Sequence, residues 1–127
     1  MNITGIMEAA AATRADALHR QALLDRHRAL VDEALDSLTE LINEKTRPRD
    51  IAVWLTRIGM EVEVRATAWP TRRTLDLERV GTIYLRDAGV RVGQDREVFT
   101  ALEPIIEALA ALLEPAVARV VTNAAVF

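Results

Sequence analysis

The stretch MEVEVRATAWPTRRTLDL, residues 60–77, places Met60, Val62, Val64, Ala66 and Ala68 at every second position, with Glu61, Glu63, Arg65, Thr67 and Trp69 between them. Such alternation marks a strand with one apolar and one wet face. Pro70 suits the second position of a turn in WPTR, and TLDLERVGTIYL then returns as a partner strand. With Trp69 opposite Thr74, Glu78 falls across from Arg65, and Leu75 and Leu77 face Ala68 and Ala66. That register turns Arg79 and Gly81 inward, so a bulge is expected at those residues. The preceding IAVWLTRI, residues 51–58, is β-branched and aromatic-rich and reads as another strand.

The flanks carry a different period. Leu24, Val31, Leu35, Leu38 and Ile42 recur at helical spacing and predict one long helix over residues 13–44. Pro48 disfavours helix at Arg47 and closes it. After the short VRVG link, Asp95 is placed to cap a second helix, residues 95–113, with Val98, Leu102, Ile105, Ile106, Leu109 and Leu113 on its apolar face. Pro104 should kink it, and Pro115 should end it. The tail AVARVVTNAAVF is β-branched and predicts a closing strand over 116–126.

The expectation is a single α+β domain over residues 1–127. It has a long N-terminal helix, a β-rich middle (51–92) forming an antiparallel sheet with a central hairpin, a C-terminal amphipathic helix and the closing strand. An all-α bundle is the alternative. Leu77, Val80, Gly81, Tyr84, Leu85 and Ala88 also fit one helical face, as do Ile51, Trp54, Leu55, Ile58, Val62, Ala66 and Trp69.

Composition narrows the function classes. Half of the 127 residues are apolar and 28% are charged, as in a folded domain rather than a disordered chain. There is no cysteine, which removes disulfides, thiol nucleophiles and thiolate metal sites. Uncharged runs fall short of the roughly 20 residues of a membrane helix, and MNITGIMEAAAATR lacks the basic start of a secretory signal. The net charge of −3 is unevenly spread: residues 1–50 carry 7 basic and 9 acidic groups, 51–93 carry 7 and 5, and 94–127 carry 2 and 5. The basic middle is much weaker than the footprint of a typical nucleic-acid binder.

Catalytic constellations are missing. His19 and His27 point about 80° apart on a helix, unlike a zinc-binding i, i+4 pair, and belong with its solvated polar groups. Ser37 lies within the long helix, a poor setting for an activated nucleophile. Glu61 and Glu63 stand roughly 7 Å apart on one strand face, but no glycine-lined cleft or third acid accompanies them. Gly89 and Gly93 match no phosphate loop. A helix-turn-helix through residues 46–69 would lead its second helix with two glutamates, which repel phosphate. Trp54 and Trp69 are expected in the core. Arg72 and Arg73 at the turn, with Arg47 and Arg49 in the preceding loop, form the basic cluster outside the long helix. Together with Trp69 they are the candidate interface residues.

In its order of elements the chain resembles the tail-terminator and related neck proteins of long-tailed bacteriophages. DIAVWLTRI is similar to their first sheet strand and TRRTLDLERVGTIYL to the next. DREVFTALEPIIEALAALLE resembles the packing helix, and ARVVTNAAVF the closing strand. The long first helix and the brief VRVG link depart from the family's usual proportions. The resemblance implies a homo-oligomeric ring, commonly a hexamer, that joins tail tube to head in the virion and touches neighbouring structural proteins. Such a ring needs no catalytic group, and the residues themselves point to no cofactor, metal, small-molecule substrate or membrane. Outside a phage, the location expected is the cytoplasm. The alternative from the residues themselves is a small dimeric DNA-binding or regulatory protein, based on the helical stripes and the middle arginines.

Overall fold

Asn2 starts the first element. Its side-chain oxygen accepts a hydrogen bond from the Gly5 N–H at 3.3 Å and caps α1 (Ile3–Thr46). The structure, a computed structural model, describes residues 2–68 and 73–126. α1 begins ten residues before the start predicted at residue 13, because the alanine-rich start favours helix without needing a buried face. Its 44 residues span about 66 Å, whereas a compact domain of this length has a radius of gyration of about 14 Å. Only the second half of such a helix can lie against the body. After it, a 3-10 turn (Arg47–Arg49) carries Pro48, and Asp50 reverses the chain at φ 56°. Aspartate is among the few side chains that tolerate this left-handed region.

Three antiparallel strands follow as a meander, β1 (Ile51–Ile58), β2 (Glu61–Ala68) and β3 (Arg73–Val80), in the order β1-β2-β3. Gly59 and Met60 make the first turn, with Gly59 at φ +61°, the left-handed first position that a two-residue hairpin favours. The alternation in β2 is real: Val62, Val64 and Ala66 are fully buried, while Met60, at the turn, is exposed. Residues 61–68 and 73–80 therefore pair as antiparallel extended chain, and the all-α alternative is excluded.

The register differs from the expected one. Arg65 pairs with Leu77, Val64 with Glu78 and Glu63 with Arg79, and the irregularity lies between Ala66 and Thr67 rather than at Arg79 and Gly81. This shift puts Val80 on the inner face beside Val62 and turns Arg79 outward, which removes the inward arginine. Glu78 then faces inward, and Arg119 of the last helix answers it through three hydrogen bonds, two of them at 3.1 Å.

VRVG proves to be a strand rather than a link. β4 (Ile83–Leu85) and β5 (Val90–Val92) form a second small hairpin, and Val90 and Phe99 exchange two 2.8 Å backbone bonds. That exchange keeps the chain extended beyond β5. Asp95 accordingly accepts from the Glu97 N–H at 3.0 Å in a turn, and the second helix, α2 (Leu102–Val126), starts later than predicted.

The tail is helix as well, so no closing strand exists over 116–126. Ile105, Leu109, Leu113, Ala116, Val120 and Ala124 are all buried at spacings of three and four. This stripe outweighs the β-branched character of AVARVV. Pro104 sits in the first turn, where its missing N–H costs nothing. Pro115 is inside the helix but on its exposed side, along with Ala111, whose carbonyl loses its partner. Water can serve that carbonyl.

α1 packs on β1 and α2 on β2 and β3, side by side on the inner face of the sheet. One buried cluster joins Val31, Ala34, Leu35 and Leu38 of α1, Val53, Val62 and Val64 of the sheet, and the α2 stripe. Trp54 is 41% exposed on the outer face, contrary to the expected core placement.

Candidate functional site

Three surfaces are candidates, and each follows from how the elements are arranged. The first is the free half of α1. Every residue from 2 to 22 is exposed, so the helix leaves the body as an arm about 30 Å long. Along it, Ile3 (69% exposed), Ile6, Met7 (66%), Ala10 and Ala11 gather on one side over three turns. Their spacing is that of an amphipathic helix with its apolar face uncovered. Glu8 is the single charged side chain between Ile3 and Thr13. The anchoring end is well held. His27 is buried and its Nδ1 lies 2.8 Å from the Arg86 carbonyl. A carbonyl only accepts, so Nδ1 carries the proton. His27 is thus a structural clamp and not the solvated group the sequence suggests. His19 is exposed on the arm.

The second surface is an apolar groove of about 470 Å³ between the C-terminal turns of α1 and the second half of α2. Leu41, Ile42, Leu113 and Val117 line it, and Lys45 and Glu114 supply its charge. Leu41 is half exposed there.

The third is the outer sheet face. The register sets Trp54, Arg65 and Leu77 in one row across the three strands, and the Arg65 guanidinium lies 6.0 Å from the Trp54 ring centre. In the next row Glu63 takes up both Arg65, at 3.3 Å, and Arg79, at 3.8 Å. Glu63 is thereby neutralised and no longer resembles one half of a catalytic carboxylate pair. The two edges of the sheet differ. Asn43 of α1 donates to the Val53 carbonyl at 2.9 Å and accepts from the Val53 N–H at 2.7 Å, so its amide closes the β1 edge as another peptide would.

The sequence-predicted interface residues fall at one end of this sheet. Ile51 pairs with Ala68 and Ala68 with Arg73, which brings the exposed Arg47 and Arg49 turn to the same end as Arg73. Trp69 and Arg72 lie outside the described residues. The pattern does not point to the arm, because its stripe is short and interrupted by Gly5 and alanines. The signal that could have found it is Asn2 as a cap followed by Ile3, Ile6 and Met7 at spacings of three and four.

Among the described residues, no cluster of His, Asp and Glu could hold a metal, and no helix is long and apolar enough to cross a membrane. A shallow cleft of about 270 Å³ carries Asp95, Glu97 and Glu107 without converging them into such a cluster. Among the described residues, Arg119 is the group whose ionisation is clearly displaced: its hydrogen bonds to Glu78 hold its proton more firmly than in a free arginine. That displacement belongs to a surface ion pair. Comparison of the chain with family models, with curated proteins and with solved structures gave no match in any of the three.

Proposed function

We propose that this chain is a non-enzymatic structural subunit that works by self-assembly, of the kind that builds the neck or tail-terminator ring of long-tailed phages. The observation that carries the reading is the arm. Twenty residues of helix with Ile3, Ile6, Met7 and Leu18 at least half exposed find no cover among the described residues. Scattered exposed apolar residues are ordinary, but three of these four share two consecutive turns on one side, which marks an interaction surface. An arm held clear of the body by a continuous helix also suits a subunit that reaches its neighbours.

The other surfaces support the same reading. The outer sheet face offers Trp54 and Leu77 within a frame of paired charges, an apolar centre with a polar rim as in protein interfaces. The acidic chain ends and the more basic middle allow complementary contact between copies. Repeated head-to-tail contact closes into a ring when its rotation permits, and a hexamer in the virion is the form the phage resemblance suggests. Multi-angle light scattering tests the reading. Assemblies of defined mass, visible as rings by electron microscopy, are expected, and a strict monomer at high concentration would remove it.

A further inference from the structure

We infer that the groove between the C-terminal turns of α1 and the second half of α2 receives the N-terminal arm of α1 from a second copy of this chain. The inference rests on the self-assembly reading above and names its contact. Arm and groove are complementary in shape class. Ile3, Ile6, Met7 and Ala10 occupy positions i, i+3, i+4 and i+7, the pattern by which a helix lays its side chains into an apolar groove. The groove, about 470 Å³ and walled by Leu41, Ile42, Leu113 and Val117, has room for several aliphatic side chains. Their charges agree as well. The arm tip bears one acid, Glu8, and the groove bears Lys45 on its α1 side. Glu114, opposite, suits the positive end of an incoming helix N-terminus.

Geometry decides whose arm it is. Ile6 and Leu41 lie on one continuous helix, 35 positions apart, so about 50 Å separates them. A chain cannot fill its own groove without breaking α1. Pairing of two arms with each other is disfavoured by the arm's own sequence. Beyond Ala11 the stripe meets Arg14, so a parallel pair would oppose identical arginines, and an antiparallel pair could match apolar side chains only over residues 3–11, about 13 Å of contact.

The chain has no cysteine, so introduced thiols report without background. The experiment co-expresses a Met7→Cys chain with a differently tagged Leu41→Cys chain and treats the assembly with a short bis-maleimide. A covalent dimer carrying both tags is expected. Met7→Cys with Thr56→Cys, on the outer sheet face, should give none. In parallel, Ile6→Asp with Met7→Asp changes only side chains that are exposed in the single chain, so folding by circular dichroism should persist. Association should weaken by at least roughly 100-fold, the consequence of losing two buried aliphatic anchors. A wild-type chain that never associates would end the self-assembly reading and this one together. A wild-type oligomer that keeps its mass in the Ile6→Asp, Met7→Asp variant and yields no Met7–Leu41 cross-link would overturn the arm alone and leave self-assembly standing.

Discussion

Asn43 makes the contact most open to a quantitative test of the fold. It lies near the end of α1 and spans Val53 with two hydrogen bonds, 2.7 Å from the strand N–H and 2.9 Å to the strand carbonyl. β1 is an edge strand, and at Val53 the asparagine amide stands where a fourth strand would be. Replacing it with alanine removes two bonds worth about 1 kcal/mol each, and more if water cannot reach the freed groups, so a loss of about 2–3 kcal/mol is expected. In a domain of this size that lowers Tm on the order of 8 °C. The edge so exposed should also raise aggregation on refolding. Asn43→Asp refines the test, since the ionised carboxylate still accepts from the Val53 N–H but repels the carbonyl. Its neutral form can make both bonds, so folding should raise the carboxyl's pKa above its unfolded value of about 3.9. Stability recovered by protonation is then present below that value and lost as pH rises through the folded pKa. Urea unfolding of wild type and both variants at pH 7 and pH 4 measures all of this. The deficit of Asn43→Asp against wild type should shrink at pH 4, while that of Asn43→Ala should not. If Asn43→Ala unfolds within about 0.5 kcal/mol of wild type, the side-chain amide does not hold the edge and the reasoning fails.

Other substitutions probe other joints. Leu109→Ala empties a fully buried position on α2 and should cost about 2–5 kcal/mol by denaturant unfolding. Gly89→Ala forces a Cβ to within 2.5 Å of the Phe99 carbonyl oxygen at φ +149°, and a loss of about 2 kcal/mol or more is expected in the same assay. His27→Phe keeps a ring of similar size but not the bond to Arg86, which retains the Gly89 N–H as a partner; about 1 kcal/mol should go. Arg57→Ala breaks a 2.8 Å pair with a half-exposed Asp32 and should cost no more than about 1 kcal/mol, less at high salt.

The central hairpin was legible because alternation over Val62, Val64 and Ala66 requires a buried partner on one side only. Its register was not, since it depends on where a bulge relieves the strain. The partner that answers Glu78 from the last helix, Arg119, lies 41 residues further on and leaves no local mark. The C-terminal tail shows the limit of propensity. Val117, Val120 and Val121 favour strands locally, yet Leu113, Ala116, Val120 and Ala124 continue the helical stripe that the core requires. The same conflict of scales hid His27 and Asn43. Both look like solvated helix residues until tertiary packing brings a backbone carbonyl or an edge strand to them. Of the candidate site, the arginines of the sheet end were visible as a charge cluster. The arm and groove were not, because exposure is a property of what the rest of the chain fails to reach.

Sedimentation equilibrium on the wild-type chain bears most directly on the central claim that the molecule functions by joining copies of itself. The predicted result is a single species whose mass is an integral multiple of 14.1 kDa and which persists on dilution into the low micromolar range. A species of 14.1 kDa at every concentration up to the millimolar range would contradict it.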